Sequence, residues 1–266
     1  DDVESRGLGD VYKRQGGWFW WGAATTDKET YRALFQYTQD YLASKGVHNF
    51  IYVYSPNGPL TSEEEYMDRY PGDDCVDIVA FDYYDDYNTY PAEYSGEFVD
   101  NLKKTCQVVK NIADAKGKVA AISETGVRVM KADGSDNEGI LVKGNPIAGH
   151  NWYKQVNQVA VDTGMPYFLL WANFGDTNFY VPYKYDDTHG QELINEFIEF
   201  YNEKSSVFAN GTNFYGNADQ KEVRNVNQGN AAGYFANVFS KMAITSAFTL
   251  KANVRLSLIH ISEPTR

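Results

Sequence analysis

Acid, phenol and indole side chains gather where apolar runs end in this sequence. Asp82, Tyr83, Tyr84, Asp85 and Asp86 follow Val76 to Phe81; Ser123, Glu124, Thr125 and Gly126 follow Val119 to Ile122; Trp171, Ala172, Asn173 and Phe174 follow Tyr167 to Leu170. A carboxylate such as Glu124, closing an apolar strand, is partly desolvated and suits a nucleophile or a general base. The same spacing also fits a carboxylate that pairs with a structural Arg or caps the next segment. Tyr84 either donates its phenol to such a carboxylate, holding it ionised and aimed, or forms a wall. Three of the five tryptophans fall in Trp18-Phe19-Trp20-Trp21, either a sugar-stacking platform or core filler beneath a loop, and Trp171 is the better placed platform.

Other chemistries find no support. The four histidines, His48, His150, His189 and His260, lack metal-ligand spacing. There is no G-x-S-x-G elbow, phosphate-binding glycine loop or C-x-x-C pair. Asp73-Asp74 and Asp85-Asp86 lack a twelve-residue calcium loop with a closing Glu, so solvated acidic loops are expected. Neither a metal nor a cofactor is implied. A net charge of -12 argues against nucleic acid and anionic membranes as partners. An aromatic content of 15% on an acidic surface suits the apolar faces of sugars. Cys75 and Cys106 are too few for a disulfide scaffold, and no apolar run reaches the roughly 18 residues that span a bilayer.

The elements that position these groups read as repeated βα units. Phe50 to Tyr54, Val76 to Phe81, Val119 to Ile122 and Tyr167 to Leu170 are nearly continuous apolar runs, as in parallel strands covered on both faces. Helical stripes lie between them. Tyr31, Leu34, Phe35, Thr38, Tyr41 and Leu42 share one face over Asp27 to Lys45, which Gly46 ends. Phe98, Leu102, Cys106, Val109, Ile112 and Ala113 form a second stripe, with Cys106 a core group; Leu193, Ile194, Phe197, Ile198 and Tyr201 form a third. After Tyr201 the texture turns to Asn, Gly and Ser, and Phe248 to Val254 alternate like a half-buried strand. The ends, SRGLGDVYKRQ and LSLIHISEPTR, resemble translated adapter sequence and break the neighbouring pattern. The expected organisation is therefore a non-native leader over 1–15, barrel over 16–209, linker and the start of a β-sandwich accessory domain over 210–254, and a non-native tail over 255–266.

Five segments together resemble the glycoside hydrolase family 26 β-mannanases over residues 16–209: GGWFWWG, HNFIYVYSP, YPGDDCVDIVAFDYYD, ISETG and FLLWANF. The resemblance implies an α/β fold, a (β/α)8 TIM barrel of which about the second half is present. It also implies retaining, endo-acting hydrolysis of β-1,4-mannosidic bonds. It makes Glu124 the nucleophile, with Asp82 and Tyr84 ordering it and the reacting sugar, and Trp18 and Trp171 as aromatic walls. The implied partner is β-mannan, bound by a monomer, and a polymer that cannot enter a cell implies a secreted or cell-surface protein. Non-catalytic sugar binding, or cleavage of mixed-linkage β-glucan or β-1,3-xylan, are the alternatives.

One departure stands out. The family carries a His-Glu pair just ahead of GGWFWWG, and that Glu is the general acid/base; read without gaps, Tyr12 and Lys13 occupy those places. Retaining hydrolysis needs two carboxyl groups roughly 5 Å apart, and an amine with an ordinary pKa of about 10.4 replaces neither. The expectation is an N-terminal truncation that has also removed the first half of the barrel.

Overall fold

The computed structural model describes residues 20–48, 50–87, 95–129, 147–171, 180–182 and 193–206. Helix α1, Lys28–Ser44, starts where the Asp27 carboxylate accepts the Thr30 N–H at 2.6 Å. It stops at Gly46, whose φ of 80° lets its N–H reach the Ala43 carbonyl while Val47 N–H reaches that of Leu42. These two bonds form a Schellman closure, and a residue with a Cβ pays a steric cost at that φ. Next come β1 (Val53–Tyr54), α2 (Glu63–Met67), a 3-10 turn over Asp73–Cys75, β2 (Ile78–Tyr87) and α3 (Glu97–Lys116). The chain continues through β3 (Val119–Val129), α4 (Trp152–Thr163), β4 (Phe168–Leu170) and α5 (Ile194–Tyr201). The strands form one sheet in the order β1-β2-β3-β4, every neighbouring pair parallel. This is the strand order of consecutive βα units in a TIM barrel.

Both faces of the sheet are covered, which explains the continuous apolar runs. On the helix side, Val79, Phe81, Ala120, Ile122 and Val127 pack into one core with Leu102, Cys106 and Val109 of α3 and Trp152, Tyr153 and Val156 of α4. Ile78, Ala80 and Ala121 form a smaller cluster on the opposite face, with Ile51, Val53 and Tyr167 against it.

Several expectations need correction. Strands β2 and β3 do not end at Phe81 and Ile122: their pairing continues to Tyr87 and Val129, so Asp82 to Asp85 and Ser123 to Gly126 lie within strands. The acidic pair at 85 and 86 is not a loop either, since both residues lie in β2. Asp85 is buried, and its Oδ2 accepts the Trp152 Nε1–H at 2.9 Å. Phe98 stacks on both Tyr83 and Trp152, so rings and hydrogen bond together fasten the end of β2 to the start of α4.

On α1, Tyr31 and Phe35 are buried, but Tyr41 is exposed and stacks on Tyr37. The opposite flank is held by Arg32 and Gln36, which donate to the backbone carbonyls of Met67, Asp68 and Pro71. That grip sets the helix rotation and turns Tyr41 outward. In α5 the buried seam is Leu193, Glu196 and Phe200, with Ile198 and Tyr201 exposed. The second stripe is buried throughout as expected. Helix α4 was not anticipated as a stripe of its own. The linker and β-rich domain expected over 210–254, and both foreign-looking ends, lie outside the described residues.

The two thiols provide a check on this packing. Burial pushes the Cys106 thiol up to about 12, while burial, and then the charges of Asp40 and Asp74, raise that of Cys75. A raised thiol pKa removes thiolate at neutral pH, and thiolate is the reactive form. With a disulfide reagent at pH 8, Cys75 is expected to react slowly and Cys106 only after unfolding in guanidinium. Two equally fast thiols would contradict the seating of α3.

Candidate active site

The site stands on the pairing of β2 with β3. Ile78 is level with Val119, Ala80 with Ala121 and Phe81 with Ile122, but Asp82 is level with Glu124, so Ser123 is an extra residue in β3. The β4 side shows the same insertion, since Ile122 is level with Phe168 and Thr125 with Leu170. Strict alternation from Ala121 would put Ser123 on the sheet face away from the helices and Glu124 among them. The bulge resets the count. After it, Glu124 and Gly126 share the face of Asp82 and Tyr84, while Val127 returns to the helix-side core.

Two fully buried carboxylates therefore lie side by side, Asp82 at 1% exposure and Glu124 at 0%. Each has hydroxyl donors. The Tyr84 phenol donates to Glu124 Oε2 at 2.6 Å, a short, charge-assisted distance. Asp82 Oδ1 accepts from Ser55 at 3.0 Å and from Ser123 at 2.8 Å. The two serine oxygens also touch each other, and Ser123 lies 2.9 Å from the Phe81 carbonyl. Two protons serve these contacts, so they act as one network rather than independent bonds.

Backbone bonds fix the surroundings. Asp82 N–H donates to the Pro56 carbonyl, and its own carbonyl accepts the Gly58 N–H at 2.7 Å. This carries the pairing with β1 onward and sets Asn57 level with Asp82. Trp171, half-buried, follows β4 and donates its N–H to the Thr125 carbonyl at 2.9 Å, which holds it beside Glu124's strand.

Of the residues singled out from the sequence, Glu124, Tyr84 and Asp82 are brought together, and Trp171 is tied to the adjoining backbone. Trp18 lies outside the described residues, as do Tyr12 and Lys13. The tryptophan-rich loop divides its rings: Trp21 is buried in the core, while Trp20 is 67% exposed and meets it edge-on. Ser123 stands in the strand-end group read from the sequence but without a role, and Ser55 and Asn57 carry no signal there of their own. A bulge leaves no mark in hydrophobic periodicity until the strand beyond it is known. Among the described residues no group of three or more His, Cys, Asp or Glu side chains gathers to hold a metal.

Residues 10–157 match the profile of glycosyl hydrolase family 26, and the chain belongs to that family. It is 28% identical over 225 residues to the mannan endo-1,4-β-mannosidase of Bifidobacterium adolescentis, covering 81% of this chain and 21% of that protein. Among solved structures it resembles the catalytic domain of a family 26 endo-β-1,4-mannanase from a Bacillus species. There the identity is 37% and the TM-score 0.61, over 72% of this chain and 48% of that one. A modular endo-β-1,4-mannanase from Cellulomonas fimi gives 30% identity and a TM-score of 0.61, over 76% of this chain and 41% of that one. The chain thus spans about half, or less, of the length of these relatives. Its four parallel strands are part of a TIM barrel.

The serine network is open to a direct test. Ser55→Ala and Ser123→Ala are each expected to cost about 1–3 kcal/mol in urea unfolding, because each withdraws a donor from a buried carboxylate. The double variant should fall short of the sum, with a coupling of at least about 0.5 kcal/mol. Strict additivity would mean that the hydroxyls do not share their protons.

Proposed function

We propose that Glu124 is the nucleophile of a retaining β-mannan hydrolase. One of its oxygens forms the bond to the anomeric carbon as the glycosidic C–O bond breaks, and water later releases the glycosyl-enzyme. The observation that carries this reading is the Tyr84 phenol at 2.6 Å from Glu124 Oε2, on a fully buried carboxylate. A nucleophile must be ionised and fixed in direction, and a short donor on one of its oxygens serves both needs. Asp82, held by Ser55 and Ser123, is the adjacent acceptor for a hydroxyl of the reacting sugar. Trp171, and Trp18 by resemblance, supply stacking surface. Membership of family 26 and likeness to mannan-cleaving relatives support β-1,4-mannan as the substrate class.

The leaving oxygen of mannan needs a proton, and Lys13 stands where the family's acid/base Glu is expected. A 2,4-dinitrophenolate leaves without one, because its charge is already delocalised. The substrate being a polymer outside cells, we infer a secreted or cell-surface protein acting as a monomer on its glycan. No described helix is long and apolar enough to cross a membrane.

The test separates nucleophile from acid/base. With 2,4-dinitrophenyl β-mannobioside the 266-residue chain should release a burst of dinitrophenolate, and a 2-deoxy-2-fluoro analogue should label Glu124, seen by peptide mass spectrometry. Glu124→Gln should abolish both, and galactomannan should be turned over at near background rates. A label on another residue, or a burst that survives Glu124→Gln, would sink the assignment. Tight mannan binding with neither burst nor label would favour the non-catalytic sugar-binding reading, for which Lys13 is the motivating observation.

A further inference from the structure

Tyr180 touches the site from outside the two strands that form it. A Cβ built on Gly126 would come within 2.3 Å of Tyr180 Cδ1 and 3.1 Å of Cε1, so the tyrosine ring lies directly on that glycine. Gly126 shares the face of Glu124 and is level with Tyr84. The same ring meets Tyr84 edge-on, with centroids 5.7 Å apart and planes at 61°. Its backbone is anchored in turn: the Tyr180 carbonyl accepts the Tyr153 hydroxyl at 3.0 Å, and Tyr153 is fully buried on α4. A continuous contact path therefore runs from α4 through Tyr180 to the Tyr84 ring and on to Glu124.

We propose that Tyr180 is a positioning residue for the reaction, holding the Tyr84 phenol in line with Glu124 Oε2, and that residue 126 is glycine because this ring occupies the space of a Cβ. The inference rests on the reading of Glu124 as nucleophile. Tyr84 is only half-buried, so its ring needs a neighbour to exclude other rotamers. An edge-to-face contact of this kind favours one rotamer several-fold. Losing it loosens the donor without removing it.

The kinetic test is a double-mutant cycle on the first turnover of 2,4-dinitrophenyl β-mannobioside. Tyr84→Phe should slow the burst about 100-fold, and Tyr180→Ala about 10-fold through misplacement of the donor. Adding Tyr180→Ala to Tyr84→Phe should slow it no further. Tyr180→Phe, which keeps the ring, should restore the rate, and Gly126→Ala should reproduce the Tyr180→Ala defect by displacing the ring. Equal penalties from Tyr180→Ala with and without the Tyr84 phenol would overturn the proposal, because the ring would then act by general support.

A second readout does not depend on turnover. The 19F resonance of 3-fluorotyrosine placed at position 84 should move in Glu124→Gln, move in Tyr180→Ala and stay in Tyr180→Phe. An unmoved resonance in Tyr180→Ala overturns the positioning role. Displacement of the resonance without any burst from the parent chain would instead leave Tyr180 as a positioning residue for Tyr84 while removing the nucleophile reading.

Discussion

Everything at the site depends on one extra residue in one strand. Parallel pairing of β2 and β3 would, with regular alternation, have faced Glu124 into the helices, where an ionised carboxylate has no place among Leu102, Val109 and Val156. Ser123 absorbs the difference. Inserted between Ile122 and Glu124, it turns the second half of β3 by one side-chain position relative to the first and turns its own hydroxyl onto Asp82. A single insertion therefore aims the carboxylate and also supplies a donor for its neighbour. Bulges recur beside active sites for this reason: they re-aim a side chain without altering the rest of the sheet.

The helix side supplies the rigidity that such a bulge needs. Asp85, three positions past Asp82, takes the indole N–H of Trp152, and Phe98 stacks on both Tyr83 and Trp152. Alternate residues of β2 thus divide their work, with Asp82 and Tyr84 facing the site while Tyr83 and Asp85 are locked to α3 and α4. A shift of β2 along its axis would break the Asp85–Trp152 hydrogen bond and the Tyr83–Phe98 stack together, so the register that sets Asp82 level with Glu124 is held from behind.

Much of this could be read from the sequence, and the rest fails for identifiable reasons. The four apolar runs named the four strands, because coverage on both faces leaves little room for polar residues. The Phe98 to Ala113 stripe named a fully buried helix face. Glu124, Tyr84 and Asp82 were legible as a group through motif and resemblance, and they do converge. Their strands run further than the apolar pattern does, since polar residues inside a sheet look like loop when only hydrophobicity is read. Asp85 looks like loop on the same grounds: its partner, Trp152, lies 67 residues away, and no local pattern announces it. Tyr41 failed for a different reason, because the rotation of α1 is set by Arg32 and Gln36 gripping backbone carbonyls of residues 67–71, contacts that a stripe of apolar residues cannot foretell.

Placing two carboxylates level on adjacent strands and burying both works against stability. Each ionised group loses water, and like charges at this spacing repel. The structure sets three hydroxyls against them, the phenol on Glu124 and two serines on Asp82. Hydroxyl donors offset desolvation while leaving the negative charge in place, and they do so directionally, each engaging a particular oxygen. Hydroxyls are also weaker anchors than cations, so the donors themselves must be held. Ser123 is held by burial within β3 and Ser55 by burial just past the end of β1, whereas Tyr84 is half-buried and depends on what packs against its ring. The part of the site most exposed to loosening is therefore the phenol donor on Glu124.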